Sequence, residues 1–227
     1  MSDVRIYITE NGPYRVEGPV KIRRMTITPD GHTYRWADNG EIPHEDPCFL
    51  CRCGRTKTAP FCDGAHAKGL LKFNGTEKAG HFRYEDRADE IKGPGIDLLD
   101  DGRCAFARFC HRETGQTVWQ LVDGSDDEAT VKMAGRGAAE CPAGRLTART
   151  KDGELIENTY EPELILIEDP ERKCSGGICV RGGIEIIGAD GEPYEVRNRY
   201  VLCRCGRSQN KPFCDSRHVS GNYQDGL

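Results

Sequence analysis

Apolar and polar residues alternate with a period of two near both ends of the chain. Val4-Arg5-Ile6-Tyr7-Ile8 and Tyr14-Arg15-Val16, the latter continuing to Val20-Lys21-Ile22, flank Asn11-Gly12-Pro13. Such alternation turns one apolar face toward a core, so both runs are expected as β-strands. Asp30-Gly31 then marks a hairpin turn that leads into Thr33-Tyr34-Arg35-Trp36. The pattern returns late in the chain as Leu164-Ile165-Leu166-Ile167, Val180-Arg181-Gly182-Gly183-Ile184 and Asp190-Gly191-Glu192-Pro193-Tyr194. Val16 to Val20 echoes Val180 to Ile184, and Asp30-Gly31-x-x-Tyr34 echoes Asp190-Gly191-x-x-Tyr194, so a whole β module is duplicated. Between the copies, Val118-Trp119-Gln120-Leu121-Val122 reads as a strand, and Ser125-Asp126-Asp127 caps a helix expected to run through Ala139.

The duplication is sharpest where chemistry is concentrated. Leu50 to His66 and Leu202 to His218 are identical at 11 of 17 positions, and each reads Cys-x-Cys, eight residues, then Cys-x3-His. The donors are Cys51, Cys53, Cys62 and His66 in one copy, and Cys203, Cys205, Cys214 and His218 in the other. Three thiols and an imidazole at this spacing signal a metal site. Cys62 and His66 are four apart and share a face if the chain makes one helical turn; Cys51 and Cys53 share a face of an extended segment. Asp63 and Asp215 are placed to accept from the free N-H groups of that turn, and Pro60 and Pro212 fix the approach to it. Thr56 and Ser208 are read as bonding local backbone. Two pairs of donors suit a two-iron cluster better than one tetrahedral ion, although zinc accepts the same donors as a structural knuckle.

Both segments resemble the CDGSH iron-sulfur family, the mitoNEET-like proteins, whose pattern is Cys-x-Cys-x2-(Ser/Thr)-x3-Pro-x-Cys-Asp-Gly-(Ser/Ala/Thr)-His. Residues 51–66 match every specified position, and the second copy departs at Ser216, where the family has Gly, and at Arg217. The resemblance implies one [2Fe-2S] cluster per copy, with two cysteines on an inner iron and Cys plus His on an outer, more exposed iron. It also implies pairing of the two modules through their strands as a pseudo-dimer inside one monomer. Arg217 is expected to raise the potential of the second site if its side chain points inward.

The segment between the copies carries Cys104, Cys110 and, after a further thirty residues, Cys141-Pro142. It resembles a bacterial mono-cluster ferredoxin in which the middle cysteine of Cys-x2-Cys-x2-Cys is replaced, here by Ala107. Three cysteines imply a [3Fe-4S] cluster, or [4Fe-4S] with a non-protein ligand on the fourth iron; a segment that keeps buried thiols without a cluster is the alternative. Cys48 is read as a packed thiol, and Cys174 and Cys179 as flanking a loop with no assigned role. His32, His44, His81 and His111 have no partners at ligand spacing and are read as surface residues, with a place near the central cluster as the alternative for His111 beside Cys110.

The fold expected is α+β, mainly β: a CDGSH module over 1–75, a ferredoxin-like α+β domain over 76–158 and a second CDGSH module over 159–227. With 37 % hydrophobic and 30 % charged residues, 27 glycines and 12 prolines, the chain reads as soluble and rich in loops. Its 37 Asp and Glu against 32 Lys and Arg, a net charge of -5 without a dense basic run, argue against nucleic acid. No apolar run approaches membrane-spanning length and Met1 to Arg5 lacks a signal-peptide core, so a cytoplasmic location is expected and the cysteines are read as metal ligands rather than disulfides. The expected function is electron transfer to a redox protein partner. The second reading is storage and transfer of clusters to an apo iron-sulfur acceptor through labile histidine ligation, and the third a structural zinc protein. No nucleophile with a base, phosphate loop or dinucleotide fingerprint suggests an enzyme.

Overall fold

The computed structural model describes residues 3–69 and 72–226. The strands are β1 (Arg5–Ile8), β2 (Tyr14–Glu17), β3 (Lys21–Asp30), β4 (Thr33–Glu41), β5 (Cys48–Leu50), β6 (Asp89–Lys92), β7 (Ile96–Asp100), β8 (Leu146–Thr150), β9 (Leu155–Ile156), β10 (Glu163–Asp169), β11 (Cys174–Arg181), β12 (Glu185–Ile187) and β13 (Arg199–Leu202). The α-helices are α1 (Val118–Asp123), α2 (Glu128–Ala139) and the single turn α3 (Arg217–Ser220), and a 3-10 turn at Ala65–Ala67 carries His66. The fold is mainly β with few helices, and the two repeats flank the middle.

Strands of the two repeats interleave. One sheet runs β12-β1-β2-β5 and the next β13-β11-β10-β3-β4. Thus β1-β2-β5 and β10-β11-β13 are equivalent meanders, and each is completed by a parallel strand from the other repeat. Ile6 pairs with Ile186 across β1 and β12, and Leu164 with Ile22 across β10 and β3. The strand alternation fixes which core each side chain enters. Leu164 and Leu166 join Val4, Ile6, Val16, Ile22, Val180 and Ile186 in one core, whereas Ile165 and Ile167 point to a second core with Ile27, Phe109, Val201 and Cys214. Burial on both faces explains why β10 reads as a continuous apolar run.

The third sheet, β6-β7-β8-β9, is drawn wholly from the middle of the chain and carries α1 and α2 on one face. Ile96, Leu98, Leu146 and Ala148 meet Val118, Leu121, Val122, Ala134 and Ala138 there. The run Val118 to Val122, expected as a strand, is therefore the helix α1. Thr117 and Gln120 form a capping box, with the Thr117 N-H donating to Gln120 Oε1 at 2.8 Å, and the buried positions 118, 121 and 122 fall on one helical face. The helix through Ala139 forms as expected, Asp127 accepting from the N-H groups of Ala129 and Thr130 at 2.9 and 3.0 Å. Asp127→Ala is expected to cost about 1 kcal/mol in urea unfolding, the usual worth of an N-cap. Cys174 and Cys179 lie not in a loop but in β11, buried and unpaired, because that strand runs between β10 and β13.

Candidate metal centres

Each repeat folds its ligand segment the same way. Leu50 bridges to Phe61 and Leu202 to Phe213, which brings the third cysteine back beside the first two. The N-H of Cys51 donates to Pro60 O and that of Cys203 to Pro212 O, both at 2.8 Å; Cys62 and Cys214 donate to Phe49 O and Val201 O, also at 2.8 Å. Thr56 Oγ1 donates to Phe61 O at 2.6 Å and Ser208 Oγ to Phe213 O at 2.7 Å, so both hydroxyls brace local backbone. Asp63 accepts from the N-H groups of Lys57 and Ala65 at 3.0 and 2.9 Å, and Asp215 accepts from Gln209 at 2.7 Å.

The donors stand in pairs. Cys51 and Cys53 Sγ are 3.6 Å apart, Cys203 and Cys205 Sγ 3.7 Å; Nδ1 of His66 is 3.3 Å from Cys62 Sγ, and Nδ1 of His218 is 3.4 Å from Cys214 Sγ. Among the described residues no three His, Cys, Asp or Glu side chains close on the position of a single ion. Backbone N-H groups are aimed at the sulfurs: Gly64 at Cys62 Sγ, 3.5 Å, and Ser216 at Cys214 Sγ, 3.4 Å. Cys51 is pushed down and Cys53 up, foremost by the hydrogen bond between them, and the Cys203 and Cys205 pair behaves alike. Thiolate pairs with N-H donors on sulfur are the donor set an iron-sulfur group requires.

Ser216 resolves the departure from the glycine pattern. Its φ of 67° matches the 79° of Gly64, so the left-handed turn into the histidine is kept with a side chain in place. Ser216→Gly is expected to stabilise the protein by about 1 kcal/mol, the left-handed strain of a non-glycine residue, and urea unfolding reads it. Arg217 points outward, more than half exposed, with Nε 3.0 Å from Asp215 Oδ2, so the inward orientation on which its expected effect depended does not occur.

The expected exposure of both histidines holds only for the first copy. Cys62 and His66 are partly exposed, but His218 is 3 % exposed and Cys214 is buried too. The C-terminal tail covers the second site: Tyr223 N-H donates to His218 O at 2.9 Å and Ser175 N-H to Tyr223 O at 2.7 Å. Burial pushes the His218 imidazole down to about 4.

The residue between the paired cysteines is a ligand-loop anchor that spacing arguments passed over. Arg52 donates to Gly12 O at 2.6 Å, Thr9 O at 2.7 Å and Gly75 O at 3.0 Å. Arg204 donates to Gly176 O at 2.8 Å and Ile167 O at 2.7 Å, and it pairs with Glu168 and Asp225. The guanidinium of Arg52 lies over Phe73 and that of Arg204 over Tyr223, aromatic rings that close against the Cys-x-Cys thiols. The only signal was that both copies write Cys-Arg-Cys. The two loops also touch. A Cβ on Gly54 would fall 2.5 Å from Cys205 O, and one on Gly206 2.5 Å from Cys53 O.

In the middle, Cys104, Cys110 and Cys141 line one small recess of about 30 Å³, partly open to solvent, together with Ala107, Trp119 and Arg145. Phe106 and Arg108 hold φ of 58° and 66°, which curls the loop so that Phe106 N-H points at Cys104 Sγ, 3.3 Å away. Arg108 fixes that loop to the second repeat through Asp169 at 2.6 and 3.0 Å. The C-terminal end of α2 delivers Cys141, whose N-H donates to Ala138 O at 3.1 Å. Burial, then the charges of Cys141 and Cys104, push Cys110 up to about 12. Cys48 packs in the core of the repeats.

A family model described as an iron-binding zinc finger of CDGSH type matches residues 11–67 and 175–219. Comparison with curated proteins and with solved structures gives no match.

Proposed function

We propose that this CDGSH-type iron-sulfur protein, matched by the family model over two motifs, carries single electrons between protein partners, using one [2Fe-2S] cluster in each repeat and a [3Fe-4S] or [4Fe-4S] cluster in the middle. The observation that carries the reading is the two-plus-two arrangement of donors in both repeats. Cys51 with Cys53, and Cys203 with Cys205, would hold the inner iron; Cys62 with His66 Nδ1, and Cys214 with His218 Nδ1, the outer one. When bound, such a group supplies reversible uptake of one electron at little structural cost. The chain's part is to set its charge. An imidazole in place of a fourth thiolate leaves the site less negative, which favours the reduced state relative to an all-cysteine ligand set. The backbone N-H groups on Cys62 and Cys214 act in the same direction. Cys104, Cys110 and Cys141 would hold the third group, with Ala107 in place of a fourth ligand.

A redox titration followed by visible absorption and paramagnetic resonance tests the proposal. Reversible one-electron steps are expected, and His66→Cys should lower the potential of one of them. A protein that takes up no electrons reversibly would refute the carrier role. Partial exposure of Cys62 and His66 favours a second reading, in which the first site passes its cluster to an apo iron-sulfur acceptor. Transfer of intact cluster to an apo-ferredoxin faster than electron exchange would establish it. No residue is assigned a catalytic role. No helix of the described chain is long and apolar enough to cross a membrane, and we place the protein in the cytoplasm as a monomer.

A further inference from the structure

Away from all three cysteine sites, a cleft of about 330 Å³ opens where the second repeat meets the middle sheet. Its walls come from Arg83 to Glu85, from Leu99 on β7 and Thr147 on β8, from Leu155 and Glu157, and from Glu195 to Arg199. That volume lies in the range of small-molecule sites, and junctions between structural units are where such sites occur.

The charges in the cleft do not balance. Each carboxylate is engaged: Glu85 pairs with Arg149 at 3.1 Å, Glu157 with Arg199, and Glu195 accepts the Tyr84 N-H at 2.7 Å. Among the described residues neither Arg83 nor Arg197 has a carboxylate at ion-pair distance. Arg197 is stacked on the Tyr84 ring, 3.5 Å from its centre, and donates only to Gly144 O at 2.7 Å and Thr147 Oγ1 at 3.1 Å. A guanidinium has five N-H donors in a planar fork, so Arg197, which lines the cleft, keeps donors beyond these two. Burial, then the neighbouring Arg103, act against its charge and outweigh the more distant support of Asp101 and Glu195. A held, desolvated cation without a carboxylate in direct contact is costly unless an anion completes it.

The rim is apolar. Leu155 is 52 % and Val196 51 % exposed, and Phe82, 64 % exposed, lies in the adjoining hollow that shares Tyr84, Glu195 and Arg197. Large apolar side chains are exposed at only four places among the described residues, and three of them surround this one guanidinium. Such clustering marks a binding surface. We propose that the cleft binds a small amphipathic carboxylate, its carboxylate bidentate on the remaining donors of Arg197 and its apolar body against Leu155 and Val196. A planar fork selects a carboxylate over a point anion, and the apolar rim rejects small hydrophilic acids.

The test is calorimetric titration of the purified protein with 3-phenylpropionate, with 3-phenylpropan-1-ol and propionate as controls. Saturable one-to-one binding of 3-phenylpropionate is expected, with both controls at least about tenfold weaker. Arg197→Gln should weaken binding by at least about tenfold. Because Arg197 also braces Gly144, Leu155→Asp and Val196→Asp provide the independent check: both side chains are exposed, so folding is untouched, while the new charge repels the ligand. Equal binding of the alcohol, full binding in both aspartate variants, or no saturable binding would overturn the proposal. So would binding confined to an acidic Glu-Leu peptide, which would make the surface a protein docking site.

Discussion

Gly206→Ala should cost the protein the metal of its first repeat as well as its second. The methyl group would sit 2.5 Å from Cys53 O and 2.8 Å from Cys53 C, atoms of a backbone that cannot swing aside, at a φ of +75° that favours glycine. Left-handed strain of about 1–2 kcal/mol adds to overpacking of similar size, for a loss of about 2–4 kcal/mol. Gly54→Ala should mirror it, because its methyl group meets Cys205 O at the same distance. Iron content and urea midpoint of the two variants are the measurements. Loss of iron confined to the mutated repeat would show that the loops are independent and would sink this part of the account.

Arg204→Met should destabilise more than Arg52→Met. Both arginines are buried and both hold backbone carbonyls, but only Arg204 faces carboxylates, those of the partly buried Glu168 and Asp225. Removing one partner of a buried pair costs about 3–5 kcal/mol because the other charge is left uncompensated. The loss of hydrogen bonds to neutral carbonyls at Arg52 should cost about 1.5–3 kcal/mol. The deficit at Arg204 should also depend on pH. Burial already holds Glu168 above its ordinary value despite Arg204, and without the cation it rises further. A carboxyl raised in the folded state costs stability as pH climbs above its unfolded value, near 4.3, toward its folded one. The deficit should therefore shrink as pH falls through that window. Equal urea midpoints for the two variants, or a deficit that grows on acidification, would contradict the assignment.

What the letters revealed follows from range. Ligand spacing, the Asp63 and Asp127 caps, and the alternation of β1, β2 and β3 are local, and each is written within a few residues. The strand at Val118 to Val122 was misread because five apolar-rich residues fit either period; Thr117 and Gln120, which decide for a helix, lie partly outside the run. Exchange of β3 and β12 between repeats joins segments more than 130 residues apart, and nothing in either strand alone names its parallel partner. Burial of His218 goes with the tail at Tyr223, a residue outside the repeated motif. The arginine cleft is assembled from separate stretches, and its meaning lies in which carboxylates are already engaged.

The central claim is that each repeat grips two bridged iron atoms with three sulfurs and one imidazole. The direct measurement is iron, zinc and acid-labile sulfide per chain, with a visible spectrum of the freshly purified protein. About four iron and four sulfide from the two repeats, with a further share from the middle site and a coloured protein, is the expected result. A colourless protein that contains zinc and no sulfide would contradict it.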